Sequence, residues 1–347
     1  MTRTVRIALV GLGHVGRSFL ELMASKAGLL RERYELALLL TGAADSSGAV
    51  MDAGGIDPIA LREHKARGGS AANFLGGVPG MRALKLVAQA QADLLLEASV
   101  VNLQDGQPGL DCVRTAIRRG MAVVLANKGP LVHAFGELTG SAAAAGVGMA
   151  YSATVCGALP VVNIGRRDLA ACEIRSIRGI FNATSNSILT AMASGQSYAG
   201  ALRRAQMEGI AEADPRLDVE GWDTANKLVI IANSVLRQSA TLADVVPVKG
   251  IIDISDEQIR AESIRRHRIK LVAAALRIAD GTYKLSVQPE SLPECDFLGS
   301  VDGFEMGIVF ETDIMGLQMY KVDERGPVPT AGAMLRDVIN LMSSKTR

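Results

Sequence analysis

The sequence predicts an α/β protein of two domains, a doubly wound parallel sheet at the N-terminus followed by an α+β domain. Through the first half, short apolar runs alternate with amphipathic stretches, as buried parallel strands linked by helices do. Near the middle of the chain this alternation gives way to helical segments and then to alternating strands. The length, 347 residues, also favours two domains, because a single core rarely grows past a few hundred residues.

The first half contains four candidate strands and three candidate helices. The strands are apolar without alternation, which indicates burial on both faces. Val15, Phe19 and Met23 recur every fourth residue and give the first helix an apolar face. The predicted strands are 5–10, 36–40, 93–96 and 121–125, and the predicted helices are 14–24, 110–119 and 131–144.

The second half is predicted to combine helices with an antiparallel sheet. A strand at 173–180 precedes helical segments that fill about 185 to 236. Ser255 and Gln258 fit a capping box that opens another helix. Asp280-Gly281 reads as a tight hairpin turn. The strands of that hairpin are 268–279 and 282–287, a second strand pair lies around 306–321, and a last helix spans 330–342.

The domain boundaries are expected where these patterns change. The parallel-sheet domain is assigned to 1–150 and the α+β domain to 151–329. The C-terminal helix, 330–347, is expected to pack back on the first domain.

Charge and composition exclude several partners. The chain has 37 Lys and Arg against 36 Asp and Glu, a net charge of +1, and no basic stripe of the kind that nucleic-acid binding needs. The apolar run at the N-terminus is too short for a signal peptide. The uncharged stretch 138–165 is rich in Ala, Gly and Ser and contains Pro160, so it is predicted to be buried protein rather than a membrane span.

The four cysteines are scattered and form no C-x-x-C pair. This spacing argues against a disulfide framework and against a thiolate metal site, and no metal is predicted. A reducing cytoplasm fits best. The cysteines are Cys112, Cys156, Cys172 and Cys295.

A glycine-rich turn directly follows the first predicted strand and opens the first helix. Gly11 allows a tight turn, Gly13 lets the backbone approach a pyrophosphate, and Gly16 allows close helix packing. Phosphates would lie at the helix N-terminus, where free N–H groups and the helix dipole favour anions. A glycine turn without a ligand is the alternative. The context therefore predicts a Rossmann site for NAD or NADP, formed by Gly11, Gly13, His14, Val15 and Gly16, with Ser99 after the third strand.

The choice between NAD and NADP depends on the end of the second strand. NAD-binding folds commonly place an acid there to bind the ribose 2′-hydroxyl. Here the strand is expected to end at Leu40-Thr41-Gly42, and the first acid is Asp45. Basic residues downstream are placed to reach a 2′-phosphate, so the sequence favours NADP over NAD; a solvated helix face is the alternative interpretation. These residues are Arg62, Lys65 and Arg67.

The richest polar pattern lies between residues 205 and 236. An acidic loop precedes Asp218, which is placed to cap a helix carrying Asp223 and Lys227. Their i, i+4 spacing puts the last two on one helix face. Spacing alone leaves two interpretations open: a cap with a surface salt bridge, or a charged pair on a largely buried helix. The second is suggested by the apolar residues Trp222, Leu228, Ile230 and Ile231.

Several motifs, in order over nearly the whole chain, resemble homoserine dehydrogenases. The hallmark is Gly-x-Ala-Glu-Ala-Asp-Pro-x-x-Asp-Val-x-Gly-x-Asp-x-Ala-x-Lys-Leu, beginning at Gly209. Asn127-Lys128-Gly129-Pro130 resembles the Asn-Lys loop of that family, and segments 153–160, 179–189 and 330–337 are also similar. The chain stops after its last helix and so resembles the short form without a C-terminal ACT-type regulatory domain.

The resemblance implies an activity and a set of roles. The activity is the NAD(P)-dependent, reversible reduction of L-aspartate 4-semialdehyde to L-homoserine, on the route to threonine and methionine, by a homodimer formed through the second domain. Lys227 would protonate the carbonyl oxygen, and Lys128 would lie near the nicotinamide and the substrate. Asp223 would orient Lys227. Substrate binding is implied for Glu212, Asp218 and Thr184.

Four positions depart from the family pattern. Ser152 stands where Glu usually helps to bind a monovalent cation, so no sodium site is predicted. Ala158 and Ala183 replace glycines, and the stretch 323–329 lacks the usual Gly-Ala-Gly. Added side chains in a close-fitting pocket can alter specificity. Two alternatives therefore stay open: a paralogous reductase for another small carbonyl or hydroxy acid, and a non-catalytic dinucleotide-binding sensor.

Overall fold

The computed structural model describes residues 2–208, 211 and 214–343, and the chain folds as two compact units. Met1–Gly157 together with Pro327–Arg347 form the first unit, and Ala158–Gly326 form the second. The boundaries thus fall at Gly157/Ala158 and Gly326/Pro327, where the sequence places them at 150/151 and 329/330.

The first unit is built on a seven-stranded sheet. Its strands are β1 (Arg3–Val10), β2 (Leu36–Asp45), β3 (Gly48–Met51), β4 (Gly77–Pro79), β5 (Leu94–Glu97), β6 (Ala122–Leu125) and β7 (Met149–Ala150). The order is β4-β3-β2-β1-β5-β6-β7, with parallel pairing from β2 to β7 and antiparallel pairing at β3 and β4. The order reverses between β1 and β5, and in open α/β sheets ligands bind at such a point, beyond the carboxyl ends of the strands. The predicted doubly wound sheet is confirmed.

The helices of this unit include every predicted one. They are α1 (His14–Ser25), α2 (Ala27–Tyr34), α3 (Pro58–Ala66), α4 (Ala83–Gln89), α5 (Gly109–Arg118), α6 (Gly129–Ala144) and the C-terminal α13 (Val328–Met342). α2, α3, α4 and the antiparallel strands β3 and β4 were not predicted from the sequence. For α3 a local signal was present, because Asp57 caps the helix by accepting from the backbone N–H groups of Ile59 and Ala60, and Pro58 occupies its first turn.

The predicted end of the second strand at Gly42 is wrong. β2 continues to Asp45, because Gly42, Ala43 and Ala44 pair with the end of β1 after a register shift. The backbone N–H of Gly11 then donates to the carbonyl oxygen of Ala44 at 2.9 Å. Asp45 is therefore the last residue of the strand, level with the glycine turn.

The second unit is built on a six-stranded sheet with helices between its strands. The strands are β8 (Ile174–Ile180), β9 (Val245–Val248), β10 (His267–Arg277), β11 (Tyr283–Pro293), β12 (Glu305–Thr312) and β13 (Leu317–Asp323). The helices are α7 (Val161–Asn163), α8 (Ala183–Ala193), α9 (Tyr198–Met207), α10 (Arg216–Val219), α11 (Trp222–Ser234) and α12 (Asp256–Ile264). The strand order is β13-β12-β8-β10-β11-β9.

Most predicted features of this sheet are confirmed, with two corrections. The β10–β11 hairpin forms, but its connection spans residues 278–282 and is not a two-residue turn. The sheet is not wholly antiparallel, because β9, which the sequence analysis missed, pairs in parallel with β11. The predicted capping box is present, with Ser255 accepting from the N–H of Gln258 and the Gln258 side chain accepting from the N–H of Ser255.

The C-terminal helix α13 belongs to the first unit through buried apolar and polar contacts. Met334 and Val338 are fully buried in the core of that unit. Asp337, also buried, accepts from the backbone N–H of Ser152 at 2.9 Å and from its hydroxyl at 2.6 Å. A buried carboxylate is stabilised when such donors satisfy it. Within the described part of the chain, no helix is both long and apolar enough to cross a membrane.

Candidate active site

The glycine turn in the first unit has the geometry that its sequence predicts. Gly11 has φ +100°, and a Cβ on it would lie 2.2 Å from the carbonyl oxygen of Ala98. A Cβ on Gly16 would lie 2.0 Å from the carbonyl oxygen of Gly11. Gly13 is exposed, and apart from Gly13 and its chain neighbours no heavy atom of the described residues lies within 4 Å of the position that its Cβ would take. Side chains are thus excluded at Gly11 and Gly16, while the surface over Gly13 is open to a ligand.

The start of α1 suits an anion. The helix begins at His14, which is exposed, next to half-buried Val15, and no side chain caps its first turn. Uncapped N–H groups and the helix dipole favour phosphate at such a position. The residues of the first unit therefore fit a dinucleotide, whose pyrophosphate the start of α1 would hold.

Two further loops meet the turn at the carboxyl edge of the sheet. Ser99, after β5, lies beside Gly11, since its backbone nitrogen would be 2.5 Å from a Cβ there. Asn127, after β6, is buried and donates from Nδ2 to the hydroxyl of Ser99 at 3.1 Å. Its Oδ1 accepts from the N–H of Gly129 at 2.9 Å, which fixes the loop that carries half-buried Lys128 into α6. Ser99 and Lys128 thus lie on interlocked loops.

The acid at the end of β2 is paired with a lysine. Lys65 Nζ donates to Asp45 Oδ2 at 2.7 Å, and the carboxylate also accepts from Ser47 and from the N–H of Ala71. Burial raises the pKa of Asp45, but these hydrogen bonds outweigh burial and lower the pKa to about 2. Asp45 is therefore ionised at neutral pH, and its charge is balanced by Lys65.

The other two basic residues of the sequence analysis also pair with acids. Arg62 bonds Glu21 at 2.9 Å, and Arg67 bonds Glu63 at 3.1 Å on the same helix. Both pairs are substantially exposed, which agrees with a solvated helix face for these two residues. Lys65 differs, because it is largely buried against Asp45.

In the second unit, the side chain of Asn182 joins two acids. Its Nδ2 donates to Asp218 Oδ1 at 2.6 Å and to Asp223 Oδ2 at 2.8 Å. Its Oδ1 accepts from the N–H of Ser185 at 2.8 Å and so caps α8. Because both ends of the amide have partners, this contact network fixes its orientation. Asn182 was not among the predicted site residues, although a polar residue between a strand and a helix is a recognisable capping signal.

The ammonium group of Lys227 is anchored on two sides. Its Nζ lies 2.7 Å from Asp223 Oδ2 and donates to the carbonyl oxygen of Phe181 at 2.6 Å. Only 12% of each charged side chain in the pair is exposed, so the interpretation as a surface salt bridge is wrong. The structure thus brings together Asp218, Asp223 and Lys227, around Asn182.

Two details of α11 differ from the sequence analysis. Asp218 does not cap the helix, since it lies within α10 and the N-cap is Gly221, with φ +89°. Trp222 is 39% exposed, whereas residues 223–226 and 228–232 are buried. The apolar character of the helix therefore comes from its later turns.

Two predicted substrate residues, Thr184 and Glu212, remain to be placed relative to Asn182 and its two acids. Thr184 is buried in the first turn of α8, two residues after Asn182. Glu212 lies outside the described residues.

A cavity of about 810 Å³ also lies in the second unit, lined in part by Trp222, Lys249 and Glu290. Of the predicted site residues that the structure describes, none lines this cavity.

Of the residues that depart from the family pattern, Ser152 is buried and Ala158 and Ala183 are half-buried, and Cys156 lies two residues before Ala158. Cys156 is buried and has φ +53°, a left-handed conformation that glycine adopts more easily. Ala158 donates its backbone N–H to Glu324 at 2.9 Å, which joins two departing segments within the second unit. Ala183 is the first residue of α8.

A glycine turn suited to a dinucleotide and an anchored lysine among carboxylates define the class as a nicotinamide-dependent oxidoreductase. Comparison with known proteins supports the same class. The family model for homoserine dehydrogenase matches residues 160–339. The chain belongs to the homoserine dehydrogenase family, so the sensor alternative is not retained.

The similarity to individual relatives extends over nearly their full length. The chain is 36% identical to a homoserine dehydrogenase of Methanocaldococcus jannaschii, covering 97% of this chain and 98% of the relative. It is 35% identical to an NAD(+)-dependent homoserine dehydrogenase of Pseudomonas canavaninivorans, covering 99% and 97%. A hyperthermophilic archaeal homoserine dehydrogenase solved with NADPH has a TM-score of 0.84 at 25% identity, covering 98% of each chain.

The position of Asn182 between two acids generates a first prediction. Asn182→Asp keeps an oxygen to cap α8 but replaces the donor Nδ2 with an oxygen of a third carboxylate beside Asp218 and Asp223. Like charges so close raise carboxyl pKa values and displace Asp223 from Lys227. We expect kcat/KM for the carbonyl substrate to fall by about a hundredfold, the scale of a misplaced catalytic group.

The matched control for this variant is Ser197→Asp. Ser197 caps α9 by accepting from the N–H of Gly200 and is exposed, so the change adds the same charge to an equivalent cap. Steady-state kinetics of both variants show whether the amide bridge of Asn182 contributes to turnover. Equal activity of Asn182→Asp and Ser197→Asp would show that the amide bridge has no role in turnover.

Proposed function

We propose that the chain catalyses the reversible reduction of L-aspartate 4-semialdehyde to L-homoserine with NAD or NADP. The observation that carries this proposal is the buried Asp223–Lys227 pair, anchored by Asn182 and by the carbonyl of Phe181. When bound in the first unit, the nicotinamide supplies the hydride. Lys227 would supply the proton from Nζ to the carbonyl oxygen, so that the aldehyde gains both and becomes an alcohol.

The anchoring of Lys227 supports its role as the acid. A general acid must be held at a fixed distance from the oxygen that it protonates. The two partners of Nζ limit the motion of the ammonium group, and Asp223 balances its charge so that burial is tolerated. In the reverse direction the same nitrogen, as a neutral amine, would accept the proton of the hydroxyl.

The acids around Asn182 suit an amino-acid substrate. Asp218 is held by Asn182 through one oxygen, and a carboxylate attracts the ammonium group of such a substrate. We assign substrate binding to Asp218 and Thr184, and, outside the described residues, to Glu212. Lys128, on the loop fixed by Asn127, is assigned to the nicotinamide side of the reaction, where a cation stabilises the developing alkoxide.

A second candidate is reduction of a different small carbonyl compound on the same scaffold. The observation that favours it is the Ala158–Glu324 hydrogen bond, which joins two segments that depart from the family pattern. Rates of NAD(P) reduction with L-homoserine and with related amino alcohols distinguish the two. A higher kcat/KM for another amino alcohol would replace the first candidate.

A metal requirement is not proposed. Ser152 occupies the position of the family's usual cation-binding Glu. Its hydroxyl donates a hydrogen bond to Asp337 and accepts one from the guanidinium of Arg336 at 2.9 Å. A guanidinium beside the site repels a further cation. These residues do not fit a sodium ion, and no step is assigned to one.

Removal of Lys227 tests the proposed chemistry. Lys227→Ala should lower kcat by about a hundredfold or more, the contribution typical of one general acid. The KM for the dinucleotide should change little, because that site belongs to the other unit. Lys284→Ala, an exposed lysine on β11, is the matched control. Near-normal turnover of Lys227→Ala would remove the lysine from the mechanism.

For the nucleotide, we propose a preference for NAD. The NADP preference suggested by the sequence relied on Arg62, Lys65 and Arg67, each of which pairs with an acid. Asp45 ends β2, where an acid binds the ribose hydroxyls of NAD and repels a 2′-phosphate. The 35%-identical relative from Pseudomonas canavaninivorans is NAD(+)-dependent, which agrees with this preference.

Exchange of Asp45 tests the preference. Asp45→Ala should lower kcat/KM for NAD by about tenfold or more, the value of hydrogen bonds to a charged group. It should raise kcat/KM for NADP, because Lys65 is then available to a 2′-phosphate. Arg67→Ala, an exposed basic residue on the same segment, serves as the control and should change neither value. The proposal would be contradicted if the wild-type enzyme had the higher kcat/KM with NADP and Asp45→Ala did not change that ratio.

A homodimer in the cytoplasm is proposed for the assembled enzyme. β13 lies at one edge of the second sheet and exposes Leu317 and Met319, apolar side chains that association would bury. Cys112, Cys172 and Cys295 are not in disulfides, as in a reducing compartment. Sedimentation equilibrium should give twice the mass of the chain, and a monomer at micromolar concentration would exclude the dimer.

A further inference from the structure

The least expected group in the first unit is the carboxyl of Glu97. Glu97 is the last residue of β5 and is completely buried. One oxygen, Oε1, accepts from the backbone N–H of Ser99 at 3.0 Å, whereas Oε2 has no hydrogen-bond partner among the described residues. A buried polar oxygen without a partner costs stability, and an apolar side chain would avoid that cost. Its presence calls for a role other than packing.

Glu97 lies where three loops of the nucleotide site meet. Its backbone carbonyl accepts from the N–H groups of Ala126 and Asn127, at 2.8 and 3.3 Å, and so holds the start of the loop after β6. Its side chain holds Ser99, in the loop after β5, against Gly11 of the glycine turn.

The loop that carries Lys128 is tied to this group through Asn127. Asn127 donates to the hydroxyl of Ser99 and accepts from the N–H of Gly129. Lys128 stands between those two contacts, directly before the first residue of α6. A displacement of Ser99 would therefore move Asn127, and with it the backbone of Lys128.

A glycine on α5 leaves the space that the carboxyl occupies. A Cβ on Gly109 would lie 2.9 Å from Glu97 Oε2 and 2.8 Å from Asn127 Nδ2. Gly109 is the first residue of α5, where a helix dipole favours an acidic group. Burial raises the pKa of Glu97, whereas Ser99 and the side-chain amide of Asn127, which lies beside the carboxyl, act in the opposite direction. The group is thus enclosed by the start of α5 and by both loops.

We propose that Glu97 is a positioning residue, which sets the place of Lys128 through Ser99 and Asn127. It touches neither substrate nor nucleotide in this proposal, and its effect on turnover passes through the lysine. The proposal rests on the role assigned to Lys128 above.

Three variants test the contacts of the Glu97 carboxyl with Ser99 and Asn127. Glu97→Leu removes the acceptor of the Ser99 N–H, whereas Glu97→Gln keeps an amide oxygen in its place. Gly109→Ala leaves Glu97 itself intact but places a methyl group against Oε2 and Asn127. Alanine favours a helix over glycine, so this variant is not expected to unfold the protein. Gly140→Ala on α6, where nothing lies within 4 Å, is the matched glycine control.

The full-length enzyme with saturating dinucleotide should respond in a defined way. Glu97→Leu and Gly109→Ala should lower kcat by about ten- to a hundredfold, the effect of a small displacement of a catalytic group. Glu97→Gln and Gly140→Ala should stay near the wild-type kcat. Wild-type kcat in both Glu97→Leu and Gly109→Ala would overturn the proposal.

A double-mutant cycle with Lys128→Ala separates positioning from general loss of structure. If Glu97 acts through Lys128, adding Glu97→Leu to Lys128→Ala should cause no further loss of kcat. If the double variant instead loses kcat by the product of the two single losses, Glu97 does not act through Lys128. That result would overturn the inference and leave the role of Lys128 intact. Normal kcat in Lys128→Ala alone would refute that role in the proposed function, and the inference with it.

Discussion

The buried ion pair between Asp223 and Lys227 constrains the whole second unit. Desolvation costs several kcal/mol for each ion, and attraction between them returns about 4 kcal/mol at the effective dielectric of a protein. The pair is therefore not stabilising by itself. The additional bonds from Asn182 to Asp223 and from Lys227 to the carbonyl of Phe181 offset part of that cost. They also require that the end of β8, the start of α8 and the start of α11 keep one relative position.

The first unit meets a different constraint, the approach of backbone to backbone. Gly11 and Gly16 have no room for a Cβ, because the turn lies directly against the loop after β5 and against itself. That closeness brings the loops after β1, β5 and β6 together at the reversal of strand order. Polar groups enclosed by such loops must satisfy one another, as Ser99 and Asn127 do. Oε2 of Glu97 has no such partner among the described residues, and the positioning role proposed for Glu97 would account for its presence at a buried site.

Sequence alone predicts those features whose signals are local. The glycine turn, the i, i+4 pair at Asp223 and Lys227, and the capping box at Ser255 each lie within a few residues. Features that depend on distant partners were missed or wrong. β2 reaches Asp45 because β1 lies beside it, and Asn182 joins acids that lie 36 and 41 positions along the chain. No periodicity reports such contacts, since they arise only once the elements pack.

The pairing of Asp45 with Lys65 shows how one such distant contact bears on chemistry. From the sequence, Lys65 is one of three basic residues that were expected to reach a 2′-phosphate. In the structure its charge is neutralised by a carboxylate that stays ionised down to a pH of about 2. A 2′-phosphate carries roughly two negative charges, which the carboxylate of Asp45 would repel. The phosphate would also have to compete with Asp45 for the ammonium group of Lys65. A ribose hydroxyl carries no charge and can donate to Asp45 without breaking the pair, so the proposed preference for NAD follows from the same contact that neutralises Lys65.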